Sequence, residues 1–138
     1  MKIKNPFKTT HKTALKKLGV KAVYLFGSRA QGMESPVSDY DYAVLMAQKG
    51  YQKGDKTYLK LYDILSEISP RTLENDLIDI VFLKDATLEL KFHVIRYGRV
   101  LYDADPKARA DFESQTTLLY CDYRPLLDEF DQAILKSL

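Results

Sequence analysis

A chain of 138 residues has the size of one domain, and 46% hydrophobic with 29% charged residues is the composition of a folded globular protein, not of a disordered one. A formal charge of +2 is too small to point to nucleic acid, one cysteine (Cys121) excludes an internal disulfide and a cysteine-built zinc site, and no apolar run approaches the ~20 residues of a membrane span. The first residues carry charge but no apolar segment follows them, so they do not read as a secretory signal, and a cytoplasmic protein is expected.

In chain order, Thr10–Leu18 has apolar residues at Ala14, Leu15 and Leu18 and stops at Gly19, the pattern of a short amphipathic helix. The lysines of this N-terminal part (Lys2 to Lys21) read as a solvated face, with attraction to an anionic partner as the alternative. Val20–Phe26 (VKAVYLF) is apolar and β-prone, a largely buried strand, and Gly27-Ser28 breaks it. Arg29–Gly32 fits one helical turn with its free amides toward that corner. A loop through Pro36 leads to a second strand, Tyr40–Met46. Asp55–Ile68 predicts a helix with Asp55 as N-cap and a stripe of Leu61, Ile64, Leu65 and Ile68. Leu77–Leu83 (LIDIVFL) is a third strand, apolar except for Asp79. Thr87–Tyr97 is a helix ended by Gly98, and Val100–Tyr102 a short strand. From Pro106 onward the pattern is one or two helices, with Pro125 the place for a kink. Cys121 is expected to be buried or half-buried. No repeat or Gly/Ser-rich linker divides the chain, and strands alternating with helices make it a single α/β or α+β domain.

The chemistry lies where the apolar pattern is interrupted. Alternate residues of a strand share a face, so Asp39 and Asp41 are expected to project together, roughly 6–7 Å apart at Cα. Asp79 stands where a buried strand would carry an aliphatic residue, and an unpaired carboxylate there would cost several kcal/mol, so it calls for a cation or strong donors. Three carboxylates from neighbouring strands make a hard, oxygen-rich site suited to Mg²⁺. Two such ions, about 3.5–4 Å apart, can stabilise attacking and leaving oxygens in phosphoryl or nucleotidyl transfer. Gly27 lets backbone approach a phosphate, amides from Ser28 to Ala30 and the Ser28 hydroxyl can donate to it, and Arg29 offers a fork. Each piece has a plainer reading: SDYD as a loop end or cap, Asp79 as a satisfied core aspartate, Ser28 as a turn residue or, with only His11 and His93 in the chain, as a poorly supported nucleophile. It is their joint spacing that points to chemistry. The residues by themselves lead as far as metal-assisted nucleotidyl transfer.

The stretch GSRAQG, five residues, then SDYDYAV resembles the signature of the polymerase-β-like nucleotidyltransferases, and in its tight form the minimal nucleotidyltransferases, the MntA-type antitoxins paired with HEPN-domain (HepT-like) toxins. IRYGRVLYD (Ile95–Asp103) and LLYCDYRPLLDEF are similar to the later segments of that family. The resemblance implies a small mixed sheet flanked by helices, with a catalytic core over about residues 1–104 and a helical tail over about 105–138. It implies Asp39, Asp41 and Asp79 as the metal-binding and catalytic acids, with Asp76 the competitor for the third position. It also implies Gly27, Ser28 and, less directly, Arg29 as the nucleotide-phosphate contacts. Gln31 departs from the pattern, since many members carry arginine there. The implied reaction is Mg²⁺-dependent transfer of AMP from ATP to a tyrosine of a HEPN ribonuclease toxin, in a hetero-oligomer, without membrane or direct nucleic-acid contact. A non-catalytic antitoxin that acts by binding, and a transferase for a small-molecule hydroxyl, are the alternatives. Tyr51, Tyr58, Tyr120 and Tyr123 are candidates for an interface or, more simply, half-buried packing residues.

Overall fold

In a computed structural model, residues 6–27, 40–69 and 78–137 are described, with side chains through residue 122. The elements run α1 (Thr9–Lys17), β1 (Val20–Phe26), β2 (Tyr40–Met46), α2 (Lys56–Ile68), β3 (Ile78–Phe82), α3 (Leu88–Tyr97), β4 (Arg99–Asp103) and α4 (Pro106–Ser137), with a 3₁₀ turn at Leu83–Asp85. The four strands form one mixed sheet in the order β3-β2-β1-β4. β1 pairs antiparallel with β2 and β4, whereas β2 and β3 run parallel, joined by the α2 crossover. The mixed sheet flanked by helices is the expected one.

Period-two alternation sorts the strand residues onto two faces. Val23, Leu25, Tyr42, Val44, Ile80 and Phe82 meet Leu15 of α1 and Leu61 and Leu65 of α2 on one side. Ala22, Tyr24, Phe26, Ala43 and Leu45 meet Val94 of α3, with Leu90 and Phe112 packed against them, on the other. Asp55 caps α2 by accepting from the Tyr58 amide at 2.7 Å, and Thr87 caps α3 by accepting from Leu90 at 3.2 Å.

Two expectations are corrected, the end of the third strand and the burial of Cys121, and one open alternative is decided. The third strand ends at Phe82 and Leu83 opens the 3₁₀ turn, because Leu83 leaves the ladder to fill the core under α3. Of the two readings of the tail, the structure has the single helix, Pro106–Ser137, and its first turns pack on the sheet: Tyr24 donates to Glu113 at 2.9 Å and Phe112 packs beside Val94. Cys121 is exposed, since it lies on α4 beyond the last residues that pack onto the sheet. Tyr51 and Tyr58 stack around Phe82, and Tyr120 lies flat on Phe92 with 3.9 Å between ring centroids, the packing role. Tyr123 lies outside the residues whose side chains are described, and the lysines from Lys8 to Lys17 are exposed, the solvated face.

Candidate active site at one end of the sheet

β1 delivers its last residue, Phe26, to the same end of the sheet at which β2 and β3 begin. Phe26 pairs with Asp41, and Asp41 pairs with Asp79 on the parallel neighbour. In-register residues on adjacent strands point to the same side, so the two carboxylates stand together about 4.8 Å apart at the backbone. They share the face of Tyr24, Ala43 and Val81, past the place where α3 and α4 cover it. Both are partly exposed, Asp79 with 46% of its side chain open to solvent. Asp79 is therefore no buried strand acid. Its aliphatic neighbours Ile78 and Ile80 point to the α2 side, which explains why an apolar run surrounds a residue that faces water. The expected cation is Lys53, whose ammonium lies 3.1 Å from Asp79 Oδ1 and is held above its ordinary pKa first by that hydrogen bond and then by the carboxylate's charge.

Lys53 was not legible in the sequence, because nothing in the loop between β2 and α2 marks it. The fold brings it in: Asp85 accepts from the amides of Gly50 and Tyr51, Tyr51 stacks on Phe82, and Asp55 accepts from Gln52, which lays the loop along the β3 edge.

Gly27 closes the site from the β1 side at φ +79°, in the left-handed region. A Cβ there would overlap Asp41 Oδ2 and sit 3.3 Å from Asp41 Cγ. The missing side chain thus makes room for a carboxylate, a demand the sequence reading, which gave this glycine to phosphate, did not foresee. Beside it, the exposed ring of His93 meets Phe26 edge-on at 6.5 Å, and Tyr97 lies 5.1 Å beyond His93. His11 is buried against Glu67 at 2.7 Å, and among the described residues neither histidine is bonded to a serine. Ser28, Arg29, Gln31, Asp39 and Asp76 lie outside the described residues, as does the expected helical turn at 29–32.

Two oxygen-donor carboxylates in register, with a backbone corner against one of them, form a hard donor set that fits a divalent cation carrying water and phosphate oxygens. Among the described residues there is no cluster of three or more metal-ligating side chains, and of the three predicted acids Asp41 and Asp79 are the two that are described.

The family model described as polymerase beta, nucleotidyltransferase, matches residues 8–107, the span that holds the whole sheet and the carboxylate pair. The chain belongs to the nucleotidyltransferase family. It is 36% identical over 104 residues to the protein adenylyltransferase MntA of Aphanizomenon flos-aquae, a match that covers 72% of this chain and 67% of that protein. A crystal structure of a toxin–antitoxin with AMP-PNP superposes with a TM-score of 0.59 at 24% identity, covering 86% of this chain and 97% of the other. A tri-AMPylated HEPN toxin from Shewanella oneidensis in complex with its MNT antitoxin superposes at 0.51 with 19% identity, covering 90% and 98%. At those identities the two structures establish the fold, which is that of this nucleotidyltransferase. No helix among the described residues is long and apolar enough to cross a membrane.

Proposed function

We propose that this nucleotidyltransferase is a cytoplasmic antitoxin that transfers AMP from ATP to a tyrosine hydroxyl of a HEPN ribonuclease toxin and thereby silences it. The observation that carries the reading is the in-register pair Asp41–Asp79 with Gly27 folded against Asp41, in a chain 36% identical to a protein adenylyltransferase. Asp39 and Asp41 are assigned to hold Mg²⁺, with Asp79 completing the acidic set, and two ions match the donor count. When bound, the metal supplies charge neutralisation at the triphosphate and at the attacking oxygen.

The chain's own residues do the rest. Ser28, the amides after Gly27, and Arg29 hold the triphosphate in place. Asp79 orients the tyrosine hydroxyl and accepts its proton as the oxygen attacks the α-phosphorus in line. The bond from that phosphorus to the bridging oxygen breaks and pyrophosphate leaves. Transfer is direct, from ATP to the acceptor oxygen, without a covalent enzyme intermediate. Lys53 holds one Asp79 oxygen at 3.1 Å and fixes which way the carboxylate faces.

The test is incubation with a HEPN-domain ribonuclease toxin, Mg²⁺ and ATP, followed by intact-mass measurement. The expected result is an AMP adduct on a toxin tyrosine, with loss of ribonuclease activity, and neither with Asp41→Asn. Full neutralisation by Asp41→Asn would overturn the catalytic reading in favour of occlusion. An adduct on a small acceptor with none on the protein would overturn the choice of acceptor.

A further inference from the structure

At the opposite end of the sheet, about six residues of strand or roughly 20 Å from Asp41, lies a cavity of about 600 Å³ that the reaction does not use. It opens where β2 ends at Met46, between the 3₁₀ turn after β3, the start of α3 and the middle of α4. Lys49, Lys84 and Lys91 converge on it, and no acidic side chain lines it. Asp85, the acid next to Lys84, is turned away into the amides of Gly50 and Tyr51. Lys84 is held in place by donating to the Ala47 carbonyl at 2.8 Å, and Lys91 lies over the Phe112 ring, 6.0 Å from its centroid. Three ammonium groups around one hollow repel one another and favour an anion between them.

The inner wall adds a hydroxyl to the three ammonium groups. Thr116 of α4 is 3% exposed and lines the cavity, yet among the described residues its hydroxyl has no hydrogen-bond partner. Its neighbour Thr117, by contrast, donates to the Glu113 carbonyl at 2.8 Å. The Thr116 hydroxyl adds a neutral donor to the lysine set for a ligand oxygen in the cavity. The rest of the wall is apolar, with the Phe112 ring inside and Leu119, 59% exposed, at the mouth. The volume lies in the range of small-molecule sites. Lysines and a hydroxyl for a phosphate, next to an aromatic and an aliphatic wall for a flat apolar body, describe one ligand class.

We propose that this cavity is a second, non-catalytic site that binds a phosphate-bearing nucleotide. The inference does not depend on the acceptor or on the catalytic reading, since it uses neither Asp41 nor Asp79. It is tested by calorimetric titration of the full chain with AMP at about 0.15 M salt, with adenosine and inorganic phosphate as comparison probes. AMP is expected to bind wild type and Asp41→Asn alike, and more tightly than either probe. The pair Lys49→Gln/Lys91→Gln should weaken it at least about tenfold through the loss of two charge-assisted contacts, and Thr116→Val by a smaller factor. Amide shifts on the wild-type chain should move at residues 84–91 and 112–119 and not at Asp41 and Asp79, which decides the matter even if a variant fails to fold. Loss of AMP binding in Asp41→Asn, shifts confined to Asp41 and Asp79, no binding of AMP, or phosphate or adenosine binding as tightly as AMP would each overturn the proposal.

Discussion

Two sets of acids hang on the same sheet face and have opposite fates. Toward α4, Glu113 receives the Tyr24 hydroxyl at 2.9 Å and the Arg109 guanidinium at 3.0 Å, while Arg109 Nε reaches Asp103 at 2.7 Å. These side chains are about a quarter exposed, and the cation that neutralises them is built into the helix that carries one of the acids. At the other set, Asp41 and Asp79 stand side by side at the sheet end, and among the described residues Asp79 pairs with a lysine, 69% exposed, that comes in from a loop. A carboxylate that serves the fold is largely enclosed beside an arginine. One that is proposed to serve a cation and a substrate is left half open, beside a backbone corner with no side chain. The difference is in what surrounds the acid, not in the acid itself.

The largest way to break the comparison is to remove an acid from the open set. Asp41→Asn and Asp79→Asn are each expected to lower AMP transfer by a factor on the order of 10² to 10³, the loss of one group aimed at transition-state charge, while thermal unfolding stays near the wild-type midpoint. The enclosed set should respond the other way. Arg109→Met leaves Asp103 and Glu113 unpaired at part-buried positions and is expected to cost about 2–3 kcal/mol in denaturant unfolding, with transfer by the folded fraction unchanged. Gly27→Ala joins the two kinds of damage. The left-handed backbone costs about 1–2 kcal/mol, and the displaced Asp41 carboxylate should remove activity beyond what that instability explains, read as transfer rate per folded molecule.

The enclosed set also has a pH signature. Burial, followed by the Glu113 hydrogen bond and charge, pushes the Tyr24 hydroxyl well above the usual tyrosine range. A raised folded-state pKa means that this contribution to stability is fully present below the unfolded value near 10 and is lost as pH climbs above it. Wild type should therefore lose stability on going from neutral to strongly alkaline solution, and Tyr24→Phe should flatten that part of the curve. The smallest effect is expected at Lys53→Met. An exposed ion pair contributes between about 0 and 1 kcal/mol, so unfolding should barely change. Transfer should fall modestly if Lys53 orients Asp79, and addition of salt should reduce wild type toward the variant.

Much of this was legible in the chain. VKAVYLF and YDYAVLM are read as strands because their apolar runs leave no other element to form, and both occupy the expected residues. Asp55 and Thr87 announce helix starts by their capping chemistry, and Gly98 an end, where its amide closes α3 on Val94 at 2.7 Å. Where the reading failed, the cause is tertiary. A seven-residue apolar run does not say that its last residue turns into a 3₁₀ corner, and Cys121 carries no signal for what fails to cover it. LIDIVFL looks fully buried because its even and odd residues serve two faces, one under α2 and one open at Asp79.

By itself the sequence determined the strands, the capped helices and the acids that break the apolar pattern, because periodicity and local hydrogen-bonding chemistry act over a few residues. Only the tertiary structure decided that Asp41 and Asp79 meet, since a parallel pair joined by a helix has no local register signal. It alone brought Lys53 across 26 residues of chain to Asp79, and showed that the space left by Gly27 is filled by an Asp41 oxygen. Contacts between distant segments are set by how faces pack, and that information is written in no single stretch of the chain.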